Sequence, residues 1–475
     1  MNLTATKSFE RIKAEAEESE HSLKRTLGPV NLVALGIGAI IGAGLFSLTG
    51  IAAAENAGPA VVLSFVVAAV GCAFAGMCYS EFATLIPIAG SAYTYAYATM
   101  GELLAWIIGW DLVLEYAVGA ATVSVSWSSY VVKLLHTLGI ELPAKFVNCP
   151  FDPTPGYINL PAVIIICLMS TLLIVGIQES ARANGLIVAV KVVIVIIVIA
   201  VGFAYINQAN YHPFVPPNTG VFGEFGWSGV MRAAGVVFFA FIGFDAVSTA
   251  AQEARKPQRD MPIGIIGSLL VCTILYVLFA HVLTGMVNYK IFKGDASPVA
   301  TVIKQFPSEA LQIAIVIGII AGYSSVILVM LLGQSRVFYS MSRDGLLPRI
   351  FSDVHRRFRT PWRCNLIFMV FVSLFSGFLP ISNLGHMTSI GTLLAFVIVC
   401  LGIMVMRHTR PDLHRPYRTP LVPVVPILGV LVCFAMMAFL DKETWYRLVI
   451  WLVIGLCIYF FYSRRHSHLA EDKSE

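Results

Sequence analysis

Four charged side chains stand in apolar surroundings where each must have a purpose. Lys191 lies in IVAVKVVIVIIVIAVGFAY (187–205), Asp245 in VVFFAFIGFDAVSTAAQE (236–253), and Asp111 and Glu115 in GWDLVLEY (109–116). An ionisable group inside a membrane is costly, so it faces protein or a water-filled cavity and pairs there. Lys191 lies about 8 Å from the end of its run at 1.5 Å per residue. There it either snorkels to the interface or faces inward. Inside, burial lowers its proton affinity enough for exchange, and its ammonium can stand where a coupling cation would sit. Asp111 and Glu115 are four apart and share one helix face. They form either a fixed polar network between helices or part of a proton or cation path. Asp245 follows Gly243 by two residues, near the middle of its run, and adds negative charge there.

The segment GIGAIIGAGLFSLTG (36–50) holds five glycines in fifteen positions. It does not match the dinucleotide fingerprint G-x-G-x-x-G, because Ile41 stands where the third glycine is needed. Two readings remain. Gly38 and Gly42 form a G-x-x-x-G pair for close helix packing, or the helix is discontinuous near Gly42, Ala43 and Gly44, with freed amides and carbonyls lining a polar cavity. The run around Gly243 echoes it 201 residues after Gly42. The two are not exclusive, and Gly36 and Gly38 can still serve packing below the break.

These features need long apolar elements to position them. The 475-residue chain is 57% hydrophobic and 12% charged, with a mean hydropathy of +0.80. Soluble domains carry about 25% charged residues, so this is an all-α polytopic membrane protein. Hydropathy and polar breaks predict twelve transmembrane helices, near 31–54, 60–86, 98–132, 159–177, 186–207, 229–253, 263–288, 309–342, 364–380, 384–406, 421–440 and 443–463. The third and eighth exceed one bilayer crossing and are expected to tilt or bend. With the N-terminus inside, cytoplasmic segments hold 22 Lys and Arg residues against 7 outside. That asymmetry predicts both termini in the cytoplasm. The first 25 positions are polar and charged, so no cleaved signal peptide is expected. The net charge of +5 reflects these basic loops rather than a nucleic-acid surface. The nine cysteines form no C-x-x-C pair and read as small buried hydrophobes. No metal cluster, nucleotide loop or Ser-His-Asp set is apparent, so the chain is not expected to be an enzyme.

With that topology, helix 1 runs outward and helix 6 inward, so the two interrupted helices head two halves of opposite orientation. Paired interruptions of this kind point to a transporter binding site at the midplane. The expected organisation is a cytoplasmic tail (1–30), a first five-helix repeat (31–207), a second, inverted one (208–406), helices 11 and 12 (407–463) and a short tail (464–475). Elsewhere, Arg336 and Arg343-Asp344-Gly345 in GQSRVFYSMSRDGLLP read as a cytoplasmic anchor and loop clamp. His281 reads as a helix-packing histidine, and Arg232 as a side chain that snorkels. Glu81 calls for a basic partner that the sequence does not name.

Several stretches together resemble the amino acid–polyamine–organocation transporter superfamily, in particular its bacterial cationic-amino-acid-transporter-like branch. They are GIGAIIGAGLFSLTG with AAAENAGPA, CYSEFATLIPIAGSAYTYAY, GWDLVLEY, FFAFIGFDAVSTAAQEARKPQRDMPIGI, GQSRVFYSMSRDGLLP and HRPYRTPLVPVVP. They occur in family order over about residues 23–465. The resemblance implies a LeuT-type 5+5 inverted repeat with helices 1 and 6 discontinuous. It implies that the substrate carboxylate meets amides around Gly42, Ala43 and Gly44, and that the α-amino group meets carbonyls near Ile40, Phe239, Ala240 and Ile242, with Asp245 alongside. Lys191 matches a helix 5 lysine of proton-coupled members, and Glu115 an acidic position on helix 3. His281 departs from the small or apolar residue expected there.

The expected function is proton-coupled amino acid symport by alternating access in the cytoplasmic membrane, with protons as the coupling ion and no other cofactor. The expected partners are an amino acid and the lipid bilayer, with no nucleic acid; an oligomeric partner is not indicated. The alternatives are an amino acid or polyamine exchanger of the same fold and a non-transporting sensor. Short tails speak against the sensor.

Overall fold

The computed structural model describes residues 6–7, 27–86, 92–152, 154–176, 181–249, 251 and 254–468. Most of the expected tails 1–30 and 464–475 lies outside the described residues. The regular secondary structure of the described residues is all helical, apart from one isolated bridge between Leu27 and Ala254. Seven helical stretches among them are long and apolar enough to cross a membrane, and five more apolar helices are shorter.

The first helix, α1, is broken. Its first half is Pro29–Ile40, with Pro at the start, where the missing N–H costs nothing. Ile41 turns to an extended conformation (φ −71°, ψ 106°), and helix resumes at Gly44 as a wide π-type turn, Gly44–Leu48. The second half continues through Thr49–Ala52 and Ala53–Ala57. Gly58 then reverses the chain at φ +59°, a conformation glycine adopts without Cβ strain. This turn separates α1 from α2 (Val61–Leu85).

Next come a short helix Ala92–Thr99, α3 (Glu102–Thr137), α4 (Leu160–Val175) and α5 (Ala181–Gly202). The third predicted span therefore starts later than expected: Gly101, at φ +97°, divides it from the short helix. A π-type turn, Leu114–Val118, sits inside α3 and carries Glu115 and Tyr116. Such bulges re-aim side chains and recur at functional sites.

The sixth helix, α6, is broken like the first. Gly226–Val237 tightens into a 3₁₀ turn, Phe238–Phe241, and helix returns only at Ala246–Thr249. Gly243, at φ +112°, lies in the gap. Then follow α7 (Pro257–Met286), α8 (Glu309–Arg343), α9 (Trp362–Phe378), α10 (Ile381–Thr409), α11 (Val424–Phe439) and α12 (Lys442–Ile458). At 35 residues α8 is about 52 Å long, well beyond a hydrocarbon core of about 30 Å. The core runs the length of the bundle and is rich in aromatic pairs, such as Tyr79 with Phe244 and Phe396. Outward faces are apolar as well: Leu270, Ile274, Val449 and Val453 are all exposed. A soluble protein would not leave such faces in water.

One end of the bundle is tied by buried charge. Glu81 accepts two hydrogen bonds from Arg407 (3.0 and 2.8 Å) and one from the Thr419 amide (2.7 Å), with Arg415 3.3 Å away. This names the partner that the sequence leaves open. At the same end, Asp344 accepts from Lys7 (2.7 Å) and Tyr93 (2.6 Å), in keeping with its reading as a clamp.

Candidate functional site

The two breaks lie against each other. A Cβ on Gly44 would fall 2.2 Å from the Ala240 Cα, so backbone meets backbone at that point. A Cβ on Gly243 would lie 2.8 Å from the Ala39 oxygen, so the α6 gap rests on the end of the first half of α1. The five glycines of 36–50 thus divide their work. Gly36 admits Ser268 of α7 and Gly38 admits Val188 of α5, while Gly50 makes room for Pro298. Gly42 faces Val326 of α8 at an ordinary 3.5 Å.

The position of each break differs slightly from expectation. The unwound residues of α1 are Ile41 and Gly42; Ala43 already has helical dihedrals (φ −63°, ψ −26°) and leads into the π-type turn at Gly44. In α6, Ile242–Asp245 are unwound, whereas Phe239 and Ala240 belong to the 3₁₀ turn before them. The reason lies on a neighbouring helix. Tyr276 of α7 sets its hydroxyl 3.0 Å from the Ile40 oxygen and 2.9 Å from the Ala240 oxygen, capping both helices where they stop. Among the described residues, the amides of Gly42 and Ala43 make no backbone hydrogen bond, while the Gly42 oxygen accepts from Leu45 and Phe46 (both 3.2 Å). Free amides at the start of a half-helix are a ready anion site.

The residues expected to meet substrate (Ile40, Gly42, Ala43, Gly44, Phe239, Ala240, Ile242 and Asp245) and to couple it to protons (Lys191 and Glu115) lie at these breaks or on neighbouring helices, and all are buried. Lys191 is 1% exposed, which excludes snorkelling. Its Nζ donates to the Gly38 oxygen at 2.8 Å, and a Cβ on Gly322 of α8 would meet its methylenes. The lysine therefore bridges α5 to the first half of α1, one turn before the break.

Asp245 is 2% exposed and accepts a hydrogen bond from the Tyr116 hydroxyl (2.9 Å). Glu115, beside Tyr116, lies within electrostatic reach of both Asp245 and Asp111. The oxygens of Asp111 and Glu115 find no hydrogen-bond donor among the described residues. An acidic group of three thus spans α3 and the α6 gap. Arg232 departs from expectation. It does not snorkel, because Asp441 (2.9 Å) and the Phe439 oxygen (2.9 Å) hold its guanidinium inside the protein. His281 stacks on Tyr211 at 4.8 Å, as a packing histidine does.

Sequence reasoning missed the tyrosines. Besides Tyr276 and Tyr116, Tyr130 donates to the Phe46 oxygen (2.6 Å), and Tyr323 shares a hydrogen bond with Ser47 (2.9 Å). These fix the second half of α1 to α3 and α8. A buried tyrosine usually satisfies its hydroxyl, so a lone Tyr in an apolar span is a signal of a polar backbone nearby. It does not say which backbone.

The amino acid permease family model matches residues 27–460. The chain belongs to that family. It is 46% identical over 456 residues to a branched-chain amino acid permease of Bacillus subtilis (strain 168), covering 96% of both chains. It is 42% identical over 469 residues to a methylthioribose transporter of the same organism, covering 98% of this chain and 99% of that one. A vacuolar cationic amino acid transporter of Arabidopsis thaliana is 37% identical over 401 residues, 84% of this chain and 62% of its own. These relatives are named as permeases and transporters, and the chain is a membrane transporter rather than an enzyme.

Proposed function

We propose that this permease is a proton-coupled symporter of neutral, apolar amino acids, with the substrate bound between the two helix breaks. The observation that carries this reading is the pairing of opposite functions across one gap. Free amides of Gly42 and Ala43, with Gly44 opening the half-helix, suit a carboxylate. The Ile40 and Ala240 oxygens and Asp245 suit an ammonium. Phe239 and Ile242 complete the α6 side. The surrounding side chains are aromatic and aliphatic: Phe46, Phe244, Val326 and Tyr323 are all buried. A side chain bound there gains by burying apolar area, about 25 cal/mol per Å². Two relatives, 46% and 35% identical over nearly the whole chain, carry the name branched-chain amino acid permease.

Lys191 and Glu115 supply the coupling in this reading. Lys191 holds the first half of α1 through Gly38, so a proton lost from its ammonium weakens that bond and frees the half-helix to move. Glu115, beside Asp245, is the carboxyl that takes up a proton and passes it on. The protein then works by alternating access, rocking the two breaks about a fixed site.

Twelve crossings in a 5+5 inverted repeat support this mechanism. The helix contacts map onto themselves when each of the first five helices is exchanged with the one five later. Helix α1 packs on α7 as α6 packs on α2; α5 packs on α8 as α10 packs on α3; α2–α7, α3–α8 and α4–α9 map to themselves. The positive-inside count puts Glu81, Asp344 and both termini on the cytoplasmic side of the plasma membrane. The Arg232 end of α6 then lies toward the outside.

Uptake of a labelled amino acid panel into proteoliposomes tests the substrate. Leucine, isoleucine or valine should accumulate when the outside is acid. If none of the panel enters while folded protein is present, the proposal fails. The methylthioribose relative makes that thiosugar the control substrate, since it lacks the carboxylate and ammonium that the two breaks would bind.

A further inference from the structure

At the end of the bundle opposite Glu81 and Asp344, four elements meet around one histidine. His386, near the start of α10, is 8% exposed. Its Nδ1 lies 3.3 Å from an Asp441 oxygen, in the link between α11 and α12. The other Asp441 oxygen holds Arg232 of α6 at 2.9 Å. Arg232 is itself cradled: its guanidinium lies over Gly223, at φ +83°, where any Cβ would collide with it, and beside the Phe222 ring.

The second half of α1 reaches the same place. Glu55, in its last turn, lies within electrostatic reach of His386, Lys293 and Asp441. Next to it, Asn56 donates to the Gly223 oxygen (3.0 Å) and accepts from the Phe225 amide (2.8 Å). One turn deeper, Gly385 beside His386 lets α10 close on Leu48. Half of the imidazole is left over: Nε2 is buried and makes no hydrogen bond among the described residues. A buried polar atom without a partner is costly and calls for a functional explanation.

We infer that His386 is an external proton-binding site, separate from the Lys191 and Glu115 pair, that latches the outer half of α1 to α10 when the outside is acid. Neutral His386 donates through Nδ1 to Asp441 and leaves Nε2 as a bare acceptor. Protonation adds an N–H at Nε2, and the carboxylate on the second half of α1 that interacts electrostatically with the imidazole is Glu55. The proton thereby turns a two-point contact into a three-point one, joining α1 to α10 and the α11–α12 link. Charges around the latch are mixed. Asp441 and Glu55 attract the imidazolium, while Arg232 of α6, Lys293 after α7 and Arg447 of α12 oppose it, Arg232 and Arg447 acting through Asp441. Histidine is the side chain whose charge changes between about pH 5 and 8, the range in which an outward-facing surface meets a proton gradient. The latch favours the closed outer state at acid pH to the extent that closure brings Glu55 nearer to His386.

The inference rests on the orientation proposed above, but its test does not need transport. Hydrogen exchange of the full chain in lipid nanodiscs is followed for peptides covering 44–57 and 381–390, at pH 5.5 and 7.5, with each rate corrected for intrinsic exchange. In the wild type, opening of both segments should be about fivefold rarer at pH 5.5. His386→Gln and Glu55→Gln should each remove that difference and leave the peptide covering 187–205 unchanged. Asp441→Asn provides an independent variant should His386→Gln fold poorly, and it too should lose the pH difference. A wild type with no pH-dependent opening overturns the inference. So does a pH difference that persists in His386→Gln or Glu55→Gln.

Discussion

At the residue scale the central contact is Lys191 Nζ to the Gly38 oxygen. Replacing Lys191 by Ala removes the bond that fixes the first half of α1, and it leaves a buried carbonyl without its donor. Accumulation driven by a pH gradient should fall by at least about tenfold, while amino acid binding at equilibrium falls far less. Uptake assays and scintillation-proximity binding on the same preparation separate the two. Unchanged accumulation would remove Lys191 from the coupling path. Glu81 makes a different prediction. Substituting Gln leaves Arg407 and Arg415 facing a neutral group in a buried setting. Breaking one side of a buried pair costs about 3–5 kcal/mol, so thermal unfolding in detergent should shift down clearly with no change in substrate preference. These positions differ in how far the sequence reveals them. Lys191, Glu115 and Asp245 were visible because a charge in an apolar run is costly and calls for a partner. Tyr276 was not, because an apolar run with a tyrosine reads the same whether its hydroxyl caps two helices or one.

At the scale of elements, the breaks depend on glycines that are not equivalent. A methyl at Gly44 would press into the Ala240 backbone, which cannot yield, whereas a methyl at Gly42 meets Val326 at ordinary contact distance. Gly44→Ala should therefore abolish uptake or destabilise the protein by about 1–3 kcal/mol, the usual cost of overpacking. Gly42→Ala should be folded and milder in every assay. Equal effects would contradict the geometry described for the two breaks. The sequence carried the existence of both interruptions through glycine spacing and the aspartate after Gly243. It could not give their edges, because Tyr276 caps both helices from α7. The same limit explains Arg232, whose partner Asp441 lies 209 residues away. It also explains the start of α3, where Gly101 cuts an apolar run that hydropathy alone reads through.

A pH prediction belongs to this scale too. Asp295, in the segment after α7, is held by Lys133 of α3 (2.8 Å) and by Thr301 (2.6 Å). Burial alone would raise its carboxyl, but Lys133, Thr301 and the Ser297 amide more than offset that, and its pKa stays below the ordinary aspartate value. A carboxyl depressed in the folded state contributes stability above its unfolded pKa, and loses it as pH falls through the folded one. The stability gap between wild type and Asp295→Asn should thus be constant above about pH 4 and close below it. A gap that widens on acidification would reverse the sign of the argument.

For the whole molecule, the fold class was readable because hydrophobic runs, interruptions and basic loops agree with one another. The family match over residues 27–460 places the chain among amino acid permeases. Substrate identity is less legible, since relatives of 46%, 42% and 37% identity carry three different substrate names. Tyr116 of α3 reaches Asp245 at the α6 gap and Val326 of α8 lies against Gly42, and hydrophobic periodicity does not resolve which side chains face the breaks. The claim that joins all three scales is that one amino acid and a proton cross together. Proteoliposomes enclosing a pH-sensitive dye measure this directly, with no pH gradient imposed and with the membrane potential clamped. Adding leucine outside should acidify the lumen in step with uptake, and Lys191→Ala should abolish the acidification. Leucine entry without acidification, dependent instead on amino acid loaded inside, would contradict symport and make the protein an exchanger.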